Sequence, residues 1–269
     1  MSHIRHSVLA TLALLAAGTA QAASISVDHS DFDTAISMNS STAIVSEGGV
    51  TLTWKAEATV GSAVQTRLFQ KKDSPMPNSA PALRGIGVSG STAGEIDRQE
   101  RLIATAGAGQ WFRVDELVLG LLFDGPEFKD VQEKAEITAH LLNGKQTIIG
   151  VLKNTYEAPP SSPDDKLNWD KARWTLDGVV AGTPVNLSPS TASRGAVWQL
   201  TNPFGDAQIT KLVFTAITGK AGSACPNCNN QSDYTLISMK ASVPEPATLG
   251  LLGLGLLGAA GAARRRRAA

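Results

Sequence analysis

Few side chains in this sequence have the type and spacing to do chemistry, and each group points to a different reaction. Cys225 and Cys228 are the two cysteines of the chain and stand as Cys-Pro-Asn-Cys. That spacing suits redox chemistry or half of a zinc site. A zinc site takes four ligands, and no second cysteine pair or nearby histidine completes one. A redox dithiol opens a helix after a strand, whereas this pair lies in the Gly/Asn/Ser-rich run GKAGSACPNCNNQSD. No cofactor is expected, although Glu95 and Asp97, with Glu100 just beyond, could supply hard oxygen ligands for a structural calcium. They match neither an EF-hand loop nor a Gly-Asp nonapeptide repeat. Acidic residues also serve turns by bonding to local backbone, and that reading is preferred here, as for Asp164, Asp165, Asp170 and Asp233.

Catalytic signatures are weaker still. Ser89 in Gly-Val-Ser-Gly-Ser approaches a nucleophile elbow, but Ser91 stands where glycine is required, and the motif belongs to an α/β fold. His29 and His140 have no recognisable partner motif and read as solvated. A glycosidase needs two carboxylates roughly 5–10 Å apart across a cleft, which no spacing here specifies. The expectation is therefore a protein that is not an enzyme. Trp169 and Trp174, in LNWDKARWTLDG, could stack on a sugar ring, as in a carbohydrate-binding module. Packing remains the preferred reading for both, since a buried indole contributes a large apolar area. Trp54, Trp111 and Trp198 lie inside strand-like runs and are expected in the core.

The elements that would position these residues read as strands. Thr42 to Val60 holds two β-rich runs around Glu47-Gly48-Gly49, a hairpin turn. Ala135, Ile137, Ala139 and Leu141 alternate with Glu136, Thr138 and His140, and Asn143-Gly144 follows before a second β-run to Leu152. Asn-Gly between two such runs specifies a hairpin. In Gln110 to Phe123 the apolar parity changes near Asp115-Glu116, which predicts a bulge or break. Gly195 to Thr201, Ala207 to Ile217 and Tyr234 to Val243 complete the strands, with Ile237, Met239 and Ala241 facing the core. Asn202 to Asp206 is read as a tight turn, and Glu157 to Asp165 as a long Pro- and Asp-rich loop. About ten short strands without βαβ alternation imply an all-β fold, a single antiparallel β-sandwich of jelly-roll type.

The two ends have a different character. Met1 to Ala22 carries Arg5, an apolar run from Val8 to Ala17 and Ala20-Gln21-Ala22, the three parts of a Sec signal peptide cut after Ala22. At the other end, Val243-Pro244-Glu245-Pro246 precedes an uncharged apolar stretch, 247–263, and then Arg264, Arg265, Arg266 and Arg267. Such a stretch is near the lower limit of the roughly 17–25 residues needed to span a bilayer, so a transmembrane helix is expected. The arginines would hold its end in the cytoplasm. The division is thus a signal peptide at 1–22, a sandwich at 23–242 and a tail at 243–269. Arg5 and Arg264 to Arg267 make up five of the 24 basic residues, and Glu245 is one of the 24 acidic ones. The body between the two ends therefore has 19 basic against 23 acidic side chains and no basic run. Nucleic acid is not an expected partner.

The tail strongly resembles the PEP-CTERM sorting signal of Gram-negative bacteria. The resemblance implies cleavage at Pro244-Glu245-Pro246 by an exosortase, an integral-membrane cysteine transpeptidase. It also implies inner-membrane anchoring until processing, then release to the cell surface or extracellular matrix, with exopolysaccharide as an associated partner and biofilm or floc as the setting. Gly85 to Leu102, GIGVSGSTAGEIDRQERL, resembles a segment of the bodies of such proteins, which implies a β-sandwich but no activity. Two rival functions remain: a carbohydrate-binding module using exposed Trp169 and Trp174, and an exported hydrolase. Export to an oxidising compartment makes a local Cys225–Cys228 disulfide the natural reading of the cysteine pair.

Overall fold

The computed structural model describes residues 23–58, 66–74, 83–90, 92–122, 131–144, 146–154, 172–187, 197–219, 232–243 and 255. Ser24–Ser242 form one compact unit. The expected signal peptide, the loop at 157–165, Trp169, Cys225, Cys228, Pro244-Glu245-Pro246, the apolar tail stretch apart from residue 255, and Arg264 to Arg267 lie outside the described residues. Among the described residues, no helix is long and apolar enough to cross a membrane.

Among the described residues, fifteen strands run in chain order as β1 (Ala23–Asp28), β2 (Thr42–Glu47), β3 (Val50–Ala58), β4 (Leu68–Ser74), β5 (Leu83–Val88), β6 (Glu100–Ala106), β7 (Arg113–Gly120), β8 (Lys134–Leu141), β9 (Thr147–Asn154), β10 (Ala172–Leu176), β11 (Val179–Gly182), β12 (Val185–Asn186), β13 (Val197–Thr201), β14 (Ile209–Ala216) and β15 (Thr235–Val243). A 3-10 turn at His29–Phe32 and a five-residue helix at Asp33–Ser37 follow β1. The strands form two antiparallel sheets. One has the order β12-β13-β7-β15-β5-β4, with β1 also paired to β15; the other runs β11-β10-β9-β8-β14-β6-β3-β2. The all-β expectation holds.

Alternation builds the core between the sheets. On β8, Ala135, Ile137 and Ala139 are fully buried while their neighbours are half-exposed. The Asn143-Gly144 turn that follows joins β8 to β9, with Gly144 at φ 67°. Gly48 and Gly49, at φ 57° and 81°, turn β2 into β3. Both hairpins lie where their sequences place them, because glycine enters the left-handed region at little cost. Trp54 is the centre of an aromatic group, edge-on to Phe32 at 5.4 Å and stacked on Phe214 at 6.2 Å. Trp198 is likewise buried, so these two tryptophans are core as expected, whereas Trp111 is only half-buried.

The parity change in β7 is a bulge. Lys240 of β15 faces Glu116 while the next residue, Ala241, faces Val114, so Asp115 has no opposite number. The extra residue lets Phe112 and Val114 on one side of it, and Leu117 and Leu119 on the other, all enter the core. A second bulge lies in β15, between Leu236 and Ser238. It corrects one expectation. Met239 and Ala241 are buried, but Ile237 is half-buried and packs with Val118, Leu121 and Val197. Val118 has the opposite parity to Leu117 and Leu119, so this small cluster lies on the other face of the sheet.

Candidate functional site

The segment Gly85 to Glu100 folds into a buried corner, and its glycines explain how. Gly85 and Gly87 lie on β5, where any side chain would collide with neighbouring chain. A Cβ on Gly87 would come within 2.5 Å of the Gly94 carbonyl, and one on Gly85 would meet the Thr235 side chain. Gly94 itself, at φ 87°, crosses the backbone of Gln70 and Lys71. The loop can therefore lie flat on the β4–β5 pair. The Val88 N–H then donates to the Glu95 carbonyl at 2.8 Å, the Gly94 N–H donates back to the Val88 carbonyl at 3.0 Å, and the Ile96 N–H donates to the Tyr234 carbonyl at 2.6 Å, which drives Ile96 into the core.

The acidic residues of this corner are all buried, and each meets a partner of the protein itself. Glu95 forms an ion pair with Lys71. Asp97 accepts the Thr92 N–H at 3.0 Å, and Glu100 accepts the Asp97 N–H at 3.1 Å. The Glu100 N–H in turn donates to the Asp97 carbonyl, which closes a small reciprocal turn. Charged groups are buried at low cost only when paired or hydrogen-bonded in this way. The proposed calcium ligands, Glu95 and Asp97, are thus taken up by an ammonium and a backbone amide. Among the described residues, no group of three or more His, Cys, Asp or Glu side chains could hold a metal ion.

Beside the corner lies an open groove of roughly 330 Å³ lined by Ile36, Phe69, Gln70, Lys71 and Ala93. The short helix after β1 supplies Ile36, β4 supplies the next three, and the corner loop supplies Ala93. Gln70 is held by a 2.8 Å contact with the His29 ring, so His29 is engaged rather than solvated. Phe69 is partly exposed and is the aromatic ring that the groove presents. Ser89 is no nucleophile elbow: its hydroxyl accepts the Arg67 N–H at 3.1 Å and helps to fasten the start of β4. His140 lies on the half-exposed side of β8. Partial burial, and then the nearby Lys211, push its pKa below the usual histidine value.

Trp174 takes the packed position preferred for it from the sequence: it is buried, 2% exposed, and does not stand out for a sugar. Its ring lies over Gly150, where a side chain would overlap it, and meets Phe204 edge-on at 5.7 Å. Its indole N–H donates to the Pro203 carbonyl at 2.8 Å. The turn at Asn202 to Asp206 is therefore a lid on this part of the core, with Asn202 and Gly205 at positive φ. The signal that marks β10 and β11 is Asp177-Gly178, a two-residue hairpin turn between Trp-Thr-Leu and Val-Val-Ala.

The last strand leads into the tail. β15 pairs with β7 along most of its length and also pairs with β5 and β1, so it is interior to its sheet. It ends at Val243, before two prolines that cannot donate to a ladder. Residues 242–267 match the PEP-CTERM protein-sorting motif. The chain thus carries the sorting motif of an exported protein that is recognised and processed by an exosortase. No curated protein and no solved structure matches this chain.

Proposed function

We propose that this chain is a non-catalytic structural or adhesive component of the cell surface or extracellular polysaccharide matrix, released there by exosortase processing. Export begins with a Sec signal peptide at 1–22. The helix at 247–263 then holds the chain in the inner membrane, with Arg264 to Arg267 on the cytoplasmic side, until cleavage at Pro244-Glu245-Pro246. In the oxidising compartment Cys225 and Cys228 form a local disulfide. The observation that carries this reading is the sorting motif, which begins in the last two residues of an interior strand. Support also comes from the polar groups of the body, where Glu95, Asp97, Glu100 and Ser89 are engaged in internal bonds.

The test replaces Pro244-Glu245-Pro246 by alanines and follows the chain by immunoblot of membrane and matrix fractions. The expected result is accumulation of the full-length form in the inner membrane and its loss from the matrix. Unchanged maturation and unchanged matrix content would sink the proposal.

A further inference from the structure

The outer strands of the two sheets are not protected alike. On β2, the Glu47 carboxylate accepts the Ser26 N–H at 2.8 Å, placing a charge at that edge. On β4, Lys71 is paired with Glu95 and the corner loop crosses the strand. β12 is only two residues long. Charges, covering loops and short strands are the usual means of preventing edge-to-edge pairing. β11 has no charge and no cover: all four of its residues are exposed, Val179 by 71% and Val180 by 60%. Two and five residues beyond its end, Pro184 is buried, but Leu187 is exposed, as is Val185. From Gly178 to Ser193 the sequence contains no charged side chain. Among the described residues, β11 has no hydrogen bond beyond its ladder to β10.

We propose that β11 is a self-association edge, where a second copy of this chain pairs its own β11 antiparallel to the first in a closed two-fold dimer. The geometry is specific. Val179 faces Leu176 next to the two-residue turn, and the pair that closes such a turn exchanges both of its hydrogen bonds. The N–H and carbonyl of the next residue, Val180, consequently point away from β10 to the open edge. A two-fold axis through Val180 lets the two Val180 residues exchange both bonds. The same axis sets Asp177 of each chain opposite the uncharged Thr183 of the other. No like charges meet, and Asp177 is already fixed by the Ile149 N–H at 2.9 Å. A charged partner would find nothing to pair with here, whereas an identical uncharged edge is complementary to itself. The register irregularity between Trp174 and Thr175 of β10, opposite Gly182 and Val180, limits the straight run. One closed contact results rather than an extended sheet. This edge shares no residue with the sorting motif, and the inference does not depend on the matrix role.

Sedimentation of the purified chain over a wide concentration range tests it. The expected behaviour is a monomer–dimer equilibrium that Val180→Lys weakens by about tenfold or more, because two like charges would then face each other. Ile44→Lys, on exposed β2, should leave the equilibrium unchanged. As a second reading, Val180→Cys should cross-link the chain through residue 180 under mild oxidation, mapped by mass spectrometry, while Ile44→Cys should not. Hydrogen-bonded antiparallel partners stand about 5.5 Å apart at Cα, within disulfide reach. A chain that stays monomeric throughout, a dimer indifferent to Val180→Lys with no link at residue 180, or open-ended polymers would each overturn the proposal.

Discussion

Replacing Trp174 by alanine separates a core role from a ligand-binding one. The side chain is 2% exposed, packed on Phe204 and Gly150, and its N–H is bonded to Pro203. Truncating a buried aromatic to alanine costs about 3–5 kcal/mol, from lost apolar transfer and from the cavity left behind. For a body of this size each kcal/mol lowers the melting temperature by about 2–4 °C, so a fall on the order of 6–20 °C is expected. Trp174→Phe keeps most of the apolar contact but leaves the Pro203 carbonyl without its donor. It should cost about 1–3 kcal/mol, the usual penalty for an unpaired buried group. Thermal unfolding followed by circular dichroism, with urea titration as a check, measures both. A Trp174→Ala protein with an unchanged melting temperature but poorer retention on polysaccharide would refute the packing argument and restore the sugar-binding reading.

Two further outcomes are expected. Lys71→Met leaves Glu95 buried without its cation and should destabilise the body by about 3–5 kcal/mol. The loss should be equal in calcium and in EDTA, and rescue by calcium alone would show that Glu95 is a metal ligand after all. On acidification, three groups act in the same direction. Ser30 bonds hold Asp28 below 3.8, the Lys240 ammonium holds Glu116 below 4.5, and partial burial holds His140 below 6.5. A depressed folded-state pKa gives stability that is present above the unfolded value and lost as pH falls through the folded one. Urea midpoints should therefore decline first below about pH 6.5, where His140 begins to charge in the unfolded chain, and again below about pH 4.5. A midpoint that is flat or rises between pH 7 and pH 3 would contradict this assignment.

Local patterns made much of the second sheet legible. Asn143-Gly144 and Gly48-Gly49 announce their hairpins because the required left-handed backbone restricts the residue choice at those positions. The bulge at Asp115 was visible as a break in apolar parity, since one inserted residue moves every later side chain to the other face. The bulge at Ile237 left no such trace: Ile237, Met239 and Ala241 keep an even spacing, and only the register with β7 shows that the first faces away. β10, β11 and β12 were hidden in a stretch dominated by the two tryptophans, although Asp177-Gly178 marked their turn.

The candidate site was legible as residues but not as roles. Glu95, Asp97 and Glu100 are a cluster of acids in the sequence, equally fit for a metal or for a turn. The internal bonds they make here depend on Lys71, 24 residues before Glu95, and on the glycines that let the loop lie across β4 and β5. Trp174 likewise looks the same in sequence whether it faces a sugar or Gly150. Such outcomes depend on contacts between residues distant in the chain, which no local spacing encodes.

The destination of the protein is different, because it is written in a contiguous tail. Pro244-Glu245-Pro246, the apolar stretch and the four arginines act as a linear address that a membrane enzyme can read without any fold, so the sequence alone determined it. Only the tertiary structure decided that this address leaves from an interior strand, that the acidic corner is internally paired, and that β11 is the unguarded edge. Strand order and edge exposure arise from how two sheets close around one core, a property of the whole chain rather than of any segment.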